Sequence, residues 1–232
     1  MAIAYRSISQ AYDASFAVSS LNIAAPSGAV VGDGEELMVS IFTIAPTNPP
    51  LPQAITGWTL NSSGSIDNLG AGVINIRTTN YTRNAGTAVA TETVSTTGGT
   101  NAGIACTRKA FTGQNPAGYF GQVNWGALTS AGTSLVVPSQ TTTRDDSFVS
   151  YYVAQPNAQT ITPPGTLTER VDNGSTGVSS HDAIQAVAGA VGTRTFTLAG
   201  SAQAQYGYAE YYSAKSLPFV RPRQPMAALL AM

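Results

Sequence analysis

Charge is what this sequence has least of: charged residues make up 10% of the chain, against about 25% in ordinary globular proteins. Three long segments carry none at all, Leu37 to Ile66, Ala110 to Thr143 and Ser147 to Thr168. The cations are nine Arg and two Lys, Lys109 and Lys215, scattered along the chain. No basic patch could neutralise several phosphates, which argues against nucleic acid as a partner. A net charge of -1 contributes little to solubility, so the profile fits a surface occupied by copies of the same chain or by other proteins.

Other absences exclude particular chemistries. His181 is the only histidine, which rules out a metal site built on a histidine cluster. Ser180 and Asp182 flank it, but neighbours in a strand point to opposite faces, so adjacency makes no catalytic dyad. There is no Gly-x-Ser-x-Gly elbow, no phosphate loop ending in Gly-Lys and no paired cysteine motif. The sequence points away from an enzyme and calls for no cofactor. Cys106 is the single cysteine, so no disulfide forms within the chain, and its apolar alternating surroundings suit a small buried side chain better than a reactive thiol. The first residues lack a basic stretch followed by an apolar run, and no stretch reaches the ~18 consecutive apolar residues of a spanning helix. The expectation is a product made in the cytoplasm, without a membrane as partner.

What is present is a pattern stated twice. Asp33-Gly34-Glu35-Glu36-Leu37-Met38-Val39-Ser40 is echoed by Arg144-Asp145-Asp146-Ser147-Phe148-Val149-Ser150, with Val39-Ser40 and Val149-Ser150 aligned. Pro46 then matches Pro156, Asp67-Asn68 matches Asp172-Asn173, Gly72-Val73 matches Gly177-Val178, and Gly86-Thr87 matches Gly192-Thr193. The offsets fall from 110 to 105 and 106, so the order is kept while one loop changes length. The pseudo-repeats run over about residues 33–111 and 144–213 of a single β-sandwich domain, residues 1–215.

Strand signals dominate. The spacing predicts strands at Phe16 to Ile23, Leu37 to Ala45, Gly72 to Arg83, Ala88 to Val94, Ala102 to Phe111, Phe148 to Ala154, Val178 to Ala188, Thr193 to Leu198 and Tyr206 to Tyr212. No window repeats apolar residues at helical spacing. Four strands from each half give an eight-stranded jelly roll of two Greek keys, with Phe16 to Ile23 as an added edge or a start on one sheet. The proline-rich segment from Pro46 to Pro52 cannot donate to a ladder at four positions and reads as a loop, with its counterpart around Pro156 and Pro163-Pro164.

Residues 216–232 differ from the rest. Pro218, Pro222 and Pro225 alternate with Arg221 and Arg223, and the chain runs on to Leu229 and Leu230. Prolines at that spacing favour an extended path. Two readings stand: a frayed terminus, or an arm whose Pro218, Phe219, Arg221, Arg223, Leu229 and Leu230 dock on a neighbouring subunit.

Two further groups invite functional readings beside structural ones. Asp33, Glu35 and Glu36, with Asp145 and Asp146, and the repeated Asp67 and Asp172, could supply oxygen ligands to calcium, or could simply cap turns. Turn chemistry is preferred, and no metal is expected. Trp58 and Trp125 lie among Gly and Asn residues with Tyr119 and Phe120, as an aromatic platform for a glycan would, or as rings that seal the core.

Gly32-Asp33-Gly34-Glu35-Glu36-Leu37-Met38-Val39, followed by Ile55-Thr56-Gly57-Trp58-Thr59-Leu60, resembles a family of tailed-bacteriophage structural proteins. In that family a Gly-Asp-x-Leu strand start precedes a proline-rich loop and a Gly-Trp-x-Leu segment; here Gly34-Glu35 is a two-residue insertion, and the second half keeps only Pro163-Pro164-Gly165-Thr166-Leu167. The resemblance covers about Ala25 to Ala214. It implies a jelly-roll virion component that acts by binding, as a homotrimer or other oligomer with copies of itself and other virion proteins. Within that class the expectation is a capsid decoration or cementing subunit. The alternative is a tail-tip or receptor-binding subunit that holds a host-surface glycan through Trp58 and Trp125.

Overall fold

The computed structural model describes residues 2–13, 15, 17–44, 48–67, 74–84, 90–96, 102–115, 118–157, 159–174 and 177–214. The first half contains β1 (Ala4–Asp13), β2 (Ser20–Ile23), β3 (Gly34–Ile44), β4 (Thr59–Ile66), β5 (Ile74–Asn84), β6 (Glu92–Ser95) and β7 (Ala102–Thr112). The second contains β8 (Phe120–Val137), β9 (Thr141–Thr142), β10 (Ser147–Ala154), β11 (Ile161–Thr162), β12 (Thr168–Asn173), β13 (Val178–Gln185), β14 (Gly189–Ala190) and β15 (Arg194–Tyr211). The chain is all-β, a sandwich whose described ladders are all antiparallel.

The duplication expected from the sequence reappears in the topology. The first sheet has the order β1-β7-β3-β5-β4; the second runs β8-β15-β10-β13-β12, with β11 added beside β15. Each strand of one order has its counterpart in the other, β1 with β8, β7 with β15, β3 with β10, β5 with β13 and β4 with β12. The aligned Val39-Ser40 and Val149-Ser150 hold the same place, Val39 opposite Thr79 and Cys106, Val149 opposite Ala183 and Glu210. Pro46, Asn68, Gly72, Val73, Gly86 and Thr87 of the repeat lie outside the described residues.

Each half therefore builds one sheet whole. In a jelly roll, successive strands alternate between the sheets and each sheet mixes both halves; the strand order here does not have that alternation. Nor does the segment around Leu21 join a main sheet, because β2 pairs β6 in a separate two-stranded ribbon. The sheets stack with β4 against β8 and β1 against β12, while β3 meets β10 through Glu36 and Ser150. Exchanging the halves carries the β1–β12 contact onto the β8–β4 contact, the geometry of an isologous dimer inside one chain.

Three cores result. Between the sheets lie Met38, Phe42, Ile76, Phe111, Phe148, Tyr152 and Tyr211. On the outer face of the first sheet Leu37, Val39, Ile41, Tyr81, Ile104 and Cys106 are covered by Ile23, Val94 and Trp58. On the outer face of the second, Val149, Tyr151 and Val153 are covered by Leu135, Val137, Phe196 and Leu198, where β8 and β15 run on past β10. Central strands are thus buried on both faces, and β3, β7 and β10 are buried at nearly every position, polar residues included. The same double burial forces any polar residue in those strands to find a partner inside.

Candidate functional site

The polar groups of the central strands divide between the space between the sheets and the outer cores. Glu35 and Glu36 are neighbours in β3, so alternation sends them to opposite faces, and both are buried. Arg108 and Lys109 are neighbours in β7 and divide in the same way. Glu36 stands directly opposite Lys109 in the ladder, and Glu35 stands opposite Arg83 of β5. Two adjacent acids thus meet two sets of bases, one set in each core.

Between the sheets, Glu36 Oε1 accepts from the Tyr211 hydroxyl at 2.6 Å and from Asn80 Nδ2 at 3.3 Å. Its Oε2 accepts from Ser150 Oγ at 2.7 Å and lies 3.5 Å from Lys109 Nζ. Lys109 Nζ donates to Ser150 Oγ at 2.8 Å and to the His181 carbonyl at 3.5 Å, and is 3.9 Å from Asp182. Asp182 in turn takes a bidentate pair of bonds from Arg170, both at 2.8 Å, and the Arg170 guanidinium sits 3.9 Å above the Tyr5 ring. The chain of contacts crosses from the first sheet to the second and ends at the half-exposed β1–β12 side. Burial first, and the Glu36 carboxylate second, push the Tyr211 phenol well above its usual value, so it remains a donor.

On the outer face of the first sheet, Glu35 binds Arg108 at 2.8 Å and Arg83 at 2.5 Å, and Arg83 reaches Glu92 at 2.5 Å. The Arg83 guanidinium covers the Trp58 ring at 4.5 Å. Trp58 is 9% exposed and belongs to this core, so its ring face is occupied by a cation of its own chain. Trp125 is half-buried between β4 and β8, its indole N–H donating to Ser62 Oγ at 3.1 Å. A Cβ at Gly64 would meet Trp125 at 2.6 Å and one at Gly207 would meet it at 2.5 Å, so two glycines make room for this ring where the sheets approach. The structure puts the two tryptophans in different cores and gathers neither into an open aromatic platform.

The second half has its own buried acid with no cation beside it. Glu210 accepts from Thr143 N at 2.9 Å, Ser147 Oγ at 2.8 Å and Gln122 Nε2 at 3.1 Å. His181 faces the outer core of this half, 5.1 Å from the Phe196 ring, while Asp182 faces the inner one, the separation that strand alternation requires. Its Nε2 bonds Ser179 Oγ at 2.8 Å, and burial, reinforced by Lys109, pushes its pKa down to about 3. Ser179 and His181 are both sealed from solvent. Cys106 is fully buried as well, and burial pushes its thiol up, which keeps it protonated.

The remaining acids cap turns and close ion pairs. Asp33 accepts from Val30 N at 2.9 Å and pairs with Arg6 at 2.7 Å. Asp145 accepts from Ala188 N at 2.7 Å and Asp172 from Ile161 N at 2.8 Å. Among the described residues no three His, Cys, Asp or Glu side chains gather as a metal-ligand group. Glu35 and Glu36 belong to β3 itself, so the strand starts earlier than the Leu37 expected from apolar spacing. Pro218, Phe219, Arg221, Arg223, Leu229 and Leu230 lie outside the described residues.

The buried network escaped the reading of the sequence, which treated Glu35-Glu36 as turn residues and gave Arg108-Lys109 no role. The usable signal was an acidic pair opening one apolar strand and a basic pair near the close of another, because antiparallel strands bring such positions together. Chemically the arrangement orders and joins strands: its carboxylates and cations are spent on one another, while Arg83 Nη2, Trp58 Nε1 and His181 Nδ1 are buried without a hydrogen-bond partner among the described residues. No known protein family, curated protein or solved structure matches the chain.

Proposed function

We propose that this chain is a non-enzymatic structural subunit of a tailed-bacteriophage particle, a capsid decoration or cementing protein that acts through contacts with copies of itself and with other virion proteins. The observation that carries the non-catalytic part is that every buried charged side chain among the described residues is held by a partner in its own chain. What faces outward is rich in Ser, Thr, Ala and Gly, with few charges, Arg6, Asp145 and Glu169 among them, and scattered apolar side chains such as Val31 and Val187, a surface suited to adhesion by shape and backbone contact. The virion part rests on the strand-start and Gly-Trp motifs at Gly32 to Val39 and Ile55 to Leu60.

Particles assembled without this subunit test the reading. A cementing role expects complete heads that burst at lower temperature or under milder osmotic shock, and that regain resistance when the purified protein is added back. Heads of normal resistance that fail to adsorb to host cells would overturn it in favour of a tail-tip subunit.

A further inference from the structure

The four outer strands of the sandwich are unequally defended. An open strand edge invites pairing with another chain, and proteins block it with charges, bulges or cover. β1 carries Arg6 and Asp13 and is bulged between Tyr5 and Ser7. β12 carries Glu169, Arg170 and Asp172 and is bulged between Glu169 and Val171. These two lie on the same side of the molecule. On the opposite side β4 has no charge but is bulged between Leu60 and Ser62. β8 has neither device over its central stretch: Gln122 to Leu128 pair with Ala204 to Glu210 without a break, and no charged residue occurs from Ala110 to Thr143.

β8 is also the counterpart of β1, which has 10 residues where β8 has 18. Two strands in equivalent places thus differ in length and charge, one short and charged, the other long and neutral, with its register against β15 shifting on both sides of Gln122 to Leu128. Among the described residues, the only backbone ladder on β8 is with β15. Ala127, Thr129, Ser130 and Ala131 are exposed.

We infer that the edge of β8 turned away from β15, centred on Gln122 to Leu128, pairs antiparallel with the same edge of a second copy, joining two second-half sheets into one. The occupant is a copy of this chain because an isologous contact requires a strand that tolerates its own reverse, and a charge-free strand meets no like charge there. β4, the neighbouring edge on that side, is equally free of charge, so the flank beside β8 does not repel its copy. The antiparallel sense matches every described ladder in the molecule. This names the self-contact in the function proposed above, but it concerns the free protein and does not depend on the virion reading.

Sedimentation velocity over a tenfold concentration range, reaching tens of micromolar, tests it. Wild type is expected at twice the monomer mass, and Ala127→Lys/Thr129→Lys at the monomer mass with an unchanged far-ultraviolet spectrum. Thr168→Lys on β12 is expected to stay dimeric. Hydrogen exchange of the wild type supplies a readout that needs no variant, since amides of Gln122 to Leu128 should exchange more slowly as concentration rises. A monomeric wild type, a dimer indifferent to the β8 lysines, or β8 exchange that ignores concentration would each overturn the inference. Loss of the dimer in the lysine variant with undiminished rescue of particles would leave the virion reading standing without this edge, and a β8 dimer that binds no particle would do the reverse.

Discussion

The two halves have the same strand order and opposite ways of filling it. In the first, the central strands carry Glu35, Glu36, Arg108 and Lys109, and the cores on both sides of the sheet are threaded by ion pairs. In the second, the equivalent sheet is filled by Tyr151, Tyr208, Phe148 and Phe196; of its two buried carboxylates, Glu210 is held by neutral donors and Asp182 is paired with Arg170 at the β1–β12 side. The topology survives this exchange, so it cannot depend on the charges. What charges add is register: moving β3 one residue along β7 would turn Glu36 away from Lys109 and leave both buried without partners.

Glu36→Leu should break the comparison hardest. It strands the Lys109 ammonium and removes the acceptor of Ser150 and Tyr211, for a loss of about 3–5 kcal/mol in urea unfolding. Glu36→Leu/Lys109→Met should recover most of that, because an apolar pair of similar volume leaves no charge behind. The same offset of 110 residues places Asp146 opposite Glu36 in the repeat. Asp146 lies in a turn at φ 53°, and Asp146→Asn should shift stability by no more than about 0.5 kcal/mol. Equal losses at the two positions would erase the distinction between the halves.

His181 gives the second half a pH dependence of its own. Above pH 6.5 the imidazole is neutral in both the folded and unfolded chain and contributes nothing. Below 6.5 the unfolded chain takes up a proton that the folded site refuses until about pH 3, so stability is lost as pH falls, by about 1.4 kcal/mol per unit within that window. Urea midpoints of wild type and His181→Leu, compared between pH 7 and pH 4.5, should converge or cross as the pH drops. Parallel profiles would mean that the imidazole is not held neutral.

Glu210→Gln should cost less than Glu36→Leu, about 1–2 kcal/mol, since an amide oxygen still accepts one of the bonds from Thr143, Ser147 and Gln122. A loss as large as that of Glu36→Leu would show that ionised acids matter equally in both halves.

The parts of the fold that apolar spacing missed are informative as a set. β1, β4, β8 and β12, like the two-residue β9, β11 and β14, fell outside the expected strands, and the four longer ones are outer strands of the two sheets. β4 reads Thr-Leu-Asn-Ser-Ser-Gly-Ser-Ile and β12 reads Thr-Glu-Arg-Val-Asp-Asn, compositions that usually mark loops. Periodicity in a sequence records burial, and an outer strand is held by backbone bonds on one side with its side chains half in water. The interior strands β3, β5, β7, β10 and β13 were legible because both faces are buried. β15 was seen as two pieces, Thr193 to Leu198 and Tyr206 to Tyr212, because Ala199 to Gln205 lacks large residues. The stacking of the halves was not legible, since the repeat fixes which strands correspond and says nothing about whether a sheet takes them from one half or both.

Lys109 is 1% exposed, and Cys106, three residues earlier in β7, is fully buried. Being an odd number of positions apart, they point to opposite sides of the same strand, the amine into the space between the sheets and the thiol into the outer core. The chain therefore carries two chemically orthogonal clocks on one strand. An amine reagent reaches Lys109 only when the sheets separate, and a thiol reagent reaches Cys106 only when the outer layer lifts. The order in which the two are labelled would time the opening of one layer against the other without any substitution.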